Sequence, residues 1–167
     1  EELADRLASH EQVLCVVNSR KQARVLYESV REATDDEDGT FHRSTLMHSV
    51  HREKILAKIR LRLDEGRTCR VISTSLIEAG VDVDFPVVYR ALAGMDSMVQ
   101  CAGRCNREGK RSACESAVYL FEPGTSYGMP NDTNQKRAIA RSVMLGMGLA
   151  MEAVGSADDG VACDIGS

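Results

Sequence analysis

The segment Gln100-Cys-Ala-Gly-Arg-Cys-Asn-Arg107 sets two guanidinium groups three residues apart behind a glycine. On a helical turn, side chains three apart point the same way. Two planar, permanently charged forks on one face suit a polyphosphate, and they can stabilise charge developing on a transferred phosphoryl group. The plain alternative is a basic helix turn paired with surface carboxylates, the commoner meaning of two such arginines taken alone. Other potential ligands are less well placed. Six cysteines stand at 15, 69, 101, 105, 114 and 163, with no C-x-x-C pair. Cys101 and Cys105 can share a helix face, but Cys114 is the only further thiol nearby, so free thiols are expected rather than a zinc site. His48, His51 and Glu53 lack a third histidine at suitable spacing and read as an exposed helix start. No metal site is expected.

The surroundings of the arginine segment change its weight. Ser73-Thr-Ser-Leu-Ile-Glu-Ala-Gly-Val-Asp82 follows an apolar run directly and leads into Val83-Asp-Phe-Pro-Val-Val-Tyr89. Val16-Val-Asn-Ser-Arg20 closes an earlier apolar run. In this order, over most of residues 11–123, the three segments resemble motifs IV, V and VI of superfamily-two helicases. Within that superfamily, STSLIEAGVDVDFPVVYR and QCAGRCNREG look most like the CRISPR-associated helicase–nuclease of type I systems. The resemblance implies an α/β, RecA-like parallel sheet with helices on both faces, the C-terminal domain of a P-loop NTPase-type helicase.

The resemblance also implies roles. Arg104 and Arg107 would reach across an interdomain cleft to the γ-phosphate of ATP, with Gln100 coupling that site to nucleic acid. Asp82 matches an acid near the nucleotide's ribose, and Gly80 would allow close backbone approach. Thr74 matches a hydroxyl residue that contacts a phosphate of the bound strand. Asn18, Ser19 and Arg20 would offer a helix N-terminus and side chains to another phosphate, which is sound on elementary grounds as well. Taken singly, Thr74 and Asp82 also read as turn and cap residues. Implied partners are single-stranded DNA, a preceding RecA-like domain and a nuclease domain in the parent protein, and a guide-RNA surveillance complex. Movement would be 3′ to 5′. ATP and Mg2+ would be held mainly by the preceding half. A helicase from a restriction or repair system, or a non-hydrolysing nucleic-acid-binding module of the same fold, would share these features.

Departures and absences limit this. Many relatives carry an arginine after the motif VI glutamine, where Cys101 stands here. Around Leu46-Met-His-Ser-Val-His51, Val50 and His51 take positions where the family often has arginine and phenylalanine, although His48 keeps the match. No G-x-x-x-x-G-K-[ST] loop or His-Asp dipeptide occurs in the chain, so by itself it is expected neither to hydrolyse ATP nor to cut DNA.

These residues need elements to hold them. Val13–Val17 is apolar and rich in β-branched residues, the pattern of a strand covered on both faces. Asn18 or Ser19 caps a helix from Arg20. The acid-rich Thr34–Thr40 reads as a solvated loop, and Ser44–Met47 as a short strand. Ile55, Leu56, Ile59 and Leu63 share a helical face, ended by Gly66. Cys69–Ile72, Val87–Tyr89 and Ala117–Phe121 read as strands, with a helix over Asp96–Cys105. A last helix is expected over Ile139–Met151, followed by a frayed, Gly-rich end. Alternating strands and helices imply a parallel sheet, whose ligands bind beyond the carboxyl ends of the strands.

The expected division is a RecA-like domain over residues 1–130, with a helix and tail over 131–167. The chain has 167 residues, 43% of them hydrophobic and 28% charged, which suffices for one buried core. A net charge of −4 argues against a generally basic nucleic-acid binder and leaves room for a local basic groove. The apolar run Val143–Met151 is far short of the roughly 20 residues that span a bilayer. With no membrane span and no secretory signal at the start, a cytoplasmic setting without disulfides is expected. The opening Glu1-Glu2 is read as the start of a piece of a longer protein.

Overall fold

The computed structural model describes residues 2–34, 38–43, 49–74, 82–109, 111–112 and 116–122. Along the chain these form α1 (Glu2–Ser9), β1 (Gln12–Val17), α2 (Arg20–Ala33), β2 (Thr40–Arg43), α3 (Ser49–Asp64), β3 (Cys69–Thr74), β4 (Val87–Ala91), α4 (Met95–Ala102) and β5 (Ala117–Phe121). The strands make one five-stranded sheet in the order β2-β3-β1-β4-β5. Every pairing is parallel.

β1 is central because its run is apolar on both sides, and Val13 to Val17 are each 1% exposed or less. Side chains alternate along a strand. Val13, Cys15 and Val17 therefore face α1 and α2 in a core with Leu7, Ala23, Leu26 and Val30. Leu14 and Val16 face the other way, onto Ile59 of α3 and Cys101 of α4. Helices on both faces make three layers, the arrangement expected from the sequence.

Local chemistry sets the ends. Ser19 is the N-cap of α2, its Oγ accepting the Gln22 N–H at 3.1 Å. α3 ends on Gly66, which adopts φ +66. Arg67 N–H returns to Arg62 O at 2.9 Å and Gly66 N–H to Leu63 O at 3.2 Å, a Schellman closure. Ile59 is buried, and Ile55, Leu56 and Leu63 pack on the same core.

Some expectations are corrected. The second strand is Thr40–Arg43, ahead of the expected Ser44–Met47, which lies outside the described residues. Thr40, expected in a loop, is 4% exposed at the strand's first position. Its sequence, Thr-Phe-His-Arg, lacks an apolar run. It is held by pairing with β3 and by ring contacts of His42 with Tyr27 and of Phe41 with Arg62. α1 was not anticipated, although Leu3, Ala4 and Leu7 bury one short face. α4 stops at Ala102 rather than running to Cys105, because Cys105 leaves it to bridge Phe85. The helix expected over Ile139–Met151 lies outside the described residues. Cys15, Cys69, Cys101 and Cys105 are free thiols, and burial pushes the Cys69 thiol up to about 12. Among the described residues no helix is long and apolar enough to cross a membrane.

Candidate nucleotide and nucleic-acid site

Two pieces of backbone build the arginine turn. In the segment after Asp82, Val83 and Phe85 are buried at 4% and 0%, so the intervening Asp84 and the preceding Asp82 take the opposite side. Phe85 N–H donates to Arg104 O at 2.9 Å, and Asn106 N–H donates to Phe85 O at 3.1 Å. Residues beyond α4 are thus stitched beside the Asp82–Phe85 segment. Asn106 then adopts φ 48, a left-handed conformation that asparagine tolerates better than most residues. The turn delivers Arg107 to both aspartates. Its backbone N–H meets Asp84 Oδ1 at 2.7 Å, and its Nη1 meets Asp82 Oδ1 at 2.5 Å.

Arg104 and Arg107 therefore do not share a helical turn, as their spacing had implied. Arg104 is half-buried just beyond the helix, and Arg107 is exposed on the following turn. The Arg107–Asp82 pair is open to water, at 45% and 77% side-chain exposure. Exposed pairs of this kind contribute about 0–1 kcal/mol, so another anion can replace the carboxylate at small cost. Asp84 and Arg111 pair at 2.7 Å with only 16% and 27% exposure, a more persistent contact. Beside them lies a groove of about 520 Å³ whose walls carry Asp64, Asp82, Asp84 and Glu108 against Arg60 and Arg111.

The carboxyl edge of the sheet holds the remaining candidates. Val17 and Thr74 are opposite in the β1–β3 register, so both strands end at the same level. Beyond them the chain turns toward β2 after β1 and toward β4 after β3, the topological position at which open parallel sheets bind ligands. Thr74 is 5% exposed, and its Oγ1 has no hydrogen-bond partner among the described residues. Asn18 is spent internally: Nδ2 donates to Leu92 O at 2.7 Å, and Oδ1 accepts from Arg90 Nη1 at 2.8 Å. Ser19 is spent on its cap. The exposed Arg20 side chain and the first-turn N–H groups of α2 are what this turn can offer an anion.

Gln100 is exposed on α4, whereas Cys101 beside it is fully buried against Leu14 and Val16. The position that often carries arginine in relatives thus packs into the core. Gly80, with residues 75–81, lies outside the described residues. Three participants were missed. Arg90 is 1% exposed and joins Val16 O, Asn18 Oδ1 and Ser97 Oγ, at 3.3, 2.8 and 2.7 Å. A charge inside the apolar Val87–Ala91 run was its visible signal. Asp84 lay within a quoted motif, and Arg111 had no signal. No group of three or more His, Cys, Asp or Glu able to hold a metal gathers among the described residues.

The sheet order and the arginine turn define a RecA-like domain of the kind that forms the C-terminal half of helicase motors. The family model described as CRISPR-associated nuclease/helicase Cas3, C-terminal, matches residues 9–110, and the chain belongs to that family. A CRISPR-associated nuclease/helicase Cas3 of Methanothermobacter thermautotrophicus is 36% identical over 128 residues, covering 72% of this chain and 15% of that protein. The chain therefore spans a small part of that relative's length. T. fusca Cas3 solved with AMPPNP superposes with a TM-score of 0.62 at 20% identity, over 87% of this chain and 18% of the other. The helicase MrfA bound to DNA gives 0.61 at 19% identity, over 91% and 20%. At these identities the structures show the shared fold.

Proposed function

We propose that this chain is the second motor domain of an ATP-dependent DNA helicase or translocase of CRISPR antiviral defence. It works in the cytoplasm with a preceding RecA-like domain, a nuclease domain and a guide-RNA surveillance complex. The observation that carries the reading is the meeting of Asp82 and Arg107, from separate motifs, on one exposed turn. The donor set fits a nucleotide: two guanidinium groups match a polyphosphate, and one carboxylate matches ribose hydroxyls. ATP, when bound, supplies the transferable γ-phosphoryl group.

The chain's own part is charge and position. Arg107 exchanges a weakly held carboxylate for phosphate oxygens, and Arg104 supplies a second guanidinium from a half-buried base. Asp82, once released, accepts from the ribose, with Gly80 letting the backbone approach. Gln100, exposed on α4, relays between this site and the strand. Magnesium belongs with the phosphate loop of the preceding domain. At the carboxyl edge, Thr74 and the Asn18–Arg20 turn face the backbone phosphates of single-stranded DNA. There Asn18 and Ser19 shape the turn while Arg20 and backbone N–H groups bind. The 167-residue chain alone hydrolyses no ATP.

The test is ATP hydrolysis by the full-length protein, stimulated by single-stranded DNA, in wild type and Arg107→Ala. A loss of about 10³-fold in kcat, the scale of an arginine finger, with nucleotide affinity much less affected, is expected. Unchanged turnover removes Arg107 from the reaction and leaves a non-hydrolysing nucleic-acid-binding module.

A further inference from the structure

Arg107 is held at two points by two different carboxylates, and the two holds differ in kind. Asp82 takes the guanidinium at a water-exposed position, whereas Asp84 takes the main chain from a largely covered one. Asp84 uses both oxygens. Oδ1 accepts the Arg107 N–H at 2.7 Å, and Oδ2 accepts Arg111 Nη1 at 2.7 Å. Arg111 is fixed in turn by Asn106, whose Oδ1 accepts the Arg111 N–H at 2.9 Å and whose Nδ2 donates to Arg111 O at 2.7 Å. Asn106 and Arg111 thus close a turn on each other, with Asp84 as its anchor in the sheet-side segment. Phe85, the next residue, is fully buried and bridged to Cys105, so that anchor is itself rigid.

We propose that Asp84 is the positioning residue of the arginine turn: it fixes the Arg107 backbone through one oxygen and restrains Arg111 through the other. The Arg107 guanidinium is then free to leave Asp82 without the turn moving. The inference rests on the motor reading above and adds a residue to it. A guanidinium that swings from a carboxylate to a phosphate is useful only if its Cα stays put, since misplacement by about 1 Å can cost about 10²-fold in rate. Charge-assisted bonds from a covered carboxylate suit that task better than the exposed Asp82 pair. Without Asp84, the Arg107 N–H loses its acceptor, and Arg111 is released beside Asp82, where it competes with Arg107.

The experiment uses the full-length protein and compares wild type, Asp84→Asn, Asp84→Ala, Arg107→Ala and the Asp84→Ala/Arg107→Ala double variant. DNA-stimulated ATP turnover and the hydrogen exchange of the Arg107 amide are both measured. Asp84→Ala is expected to lower kcat about 10- to 100-fold with little change in KM, and to lower nothing further once Arg107 is absent. A residue that merely supports the fold would cost the same factor in both backgrounds, and that result overturns the proposal. Asp84→Asn keeps an acceptor for the amide but loses the charge that holds Arg111. It covers the case in which the alanine variant fails to fold. Its expected kcat is several-fold below wild type, with faster exchange at Arg107; wild-type values of both overturn the proposal. If Arg107→Ala turns over normally, the motor reading falls. The exchange of the Arg107 amide in Asp84→Asn then decides the positioning claim alone, with unchanged exchange refuting it.

Discussion

Individual side chains here divide between those exposed to solvent and those that hold a turn in place. Ser19 belongs to the second group, its hydroxyl closing the first turn of α2. Ser19→Ala should cost about 1 kcal/mol of stability, read from chemical denaturation of the 167-residue chain. It should leave any single-stranded DNA affinity of the folded chain within a factor of two or so, because the backbone donors remain. A large loss of affinity at unchanged stability would make Ser19 a contact in its own right. Cys101 is the opposite case. It is buried among Leu14, Val16 and Val88, so restoring the family's arginine there would place a charge in an apolar core. Cys101→Arg is expected to destabilise by about 3–5 kcal/mol, the scale of an uncompensated buried charge. A stable variant with raised DNA affinity would show that the side chain escapes to the surface.

Elements matter through what ties their ends together. Arg90 at the end of β4 binds the β1–α2 turn through Asn18 and the start of α4 through Ser97. It therefore connects the expected nucleic-acid turn to the helix that precedes the arginine turn. The planar fork divides these acceptors between two nitrogens, Nη1 toward Val16 O and Asn18 Oδ1 and Nη2 toward Ser97 Oγ, a spread that one ammonium nitrogen does not match. Arg90→Lys keeps the charge and loses the fork, so at least one of the buried acceptors goes unpaired. The expected loss is about 1–3 kcal/mol, measured by the denaturation midpoint, and a midpoint equal to wild type would refute the clamp.

On the scale of the whole molecule, two half-buried imidazoles set a pH dependence. Burial first, then the nearby Arg70, lowers the pKa of His10 from its ordinary 6.5. His42 is lowered by burial and by Arg24, with Glu28 acting weakly the other way. Their folded pKa values lie below the unfolded one. The unfolded chain thus takes up more protons as pH drops through 6.5, and stability falls with it. The full contribution is present above 6.5 and is lost on acidification toward the lowered values. Replacing both histidines by glutamine should flatten the denaturation midpoint across that window; an unchanged slope would place the dependence elsewhere. The net charge of −4 also bounds DNA binding. With about three phosphates neutralised, log affinity for single strands should fall against log salt with a slope of about −2.

Much of this was legible in the residues themselves. The apolar runs at Val13–Val17, Cys69–Ile72, Val87–Tyr89 and Ala117–Phe121 announce strands because a doubly covered strand needs apolar side chains on both sides. Ser19 and Gly66 mark helix ends because unsatisfied backbone groups demand a cap or a left-handed turn. The order of the motif segments carried the family, since each fixes residue types at fixed offsets. What tertiary structure alone decided was which groups meet. Thr40–Arg43 became a strand by pairing with β3, not by its own pattern. Cys105 left its helix for Phe85, which separated Arg104 from Arg107. Asp82, Asp84 and Arg111 converged on one turn across more than twenty residues of chain. Local pattern records each residue's preference for burial and backbone shape, whereas a hydrogen bond between distant residues exists only once the sheet has set the distance.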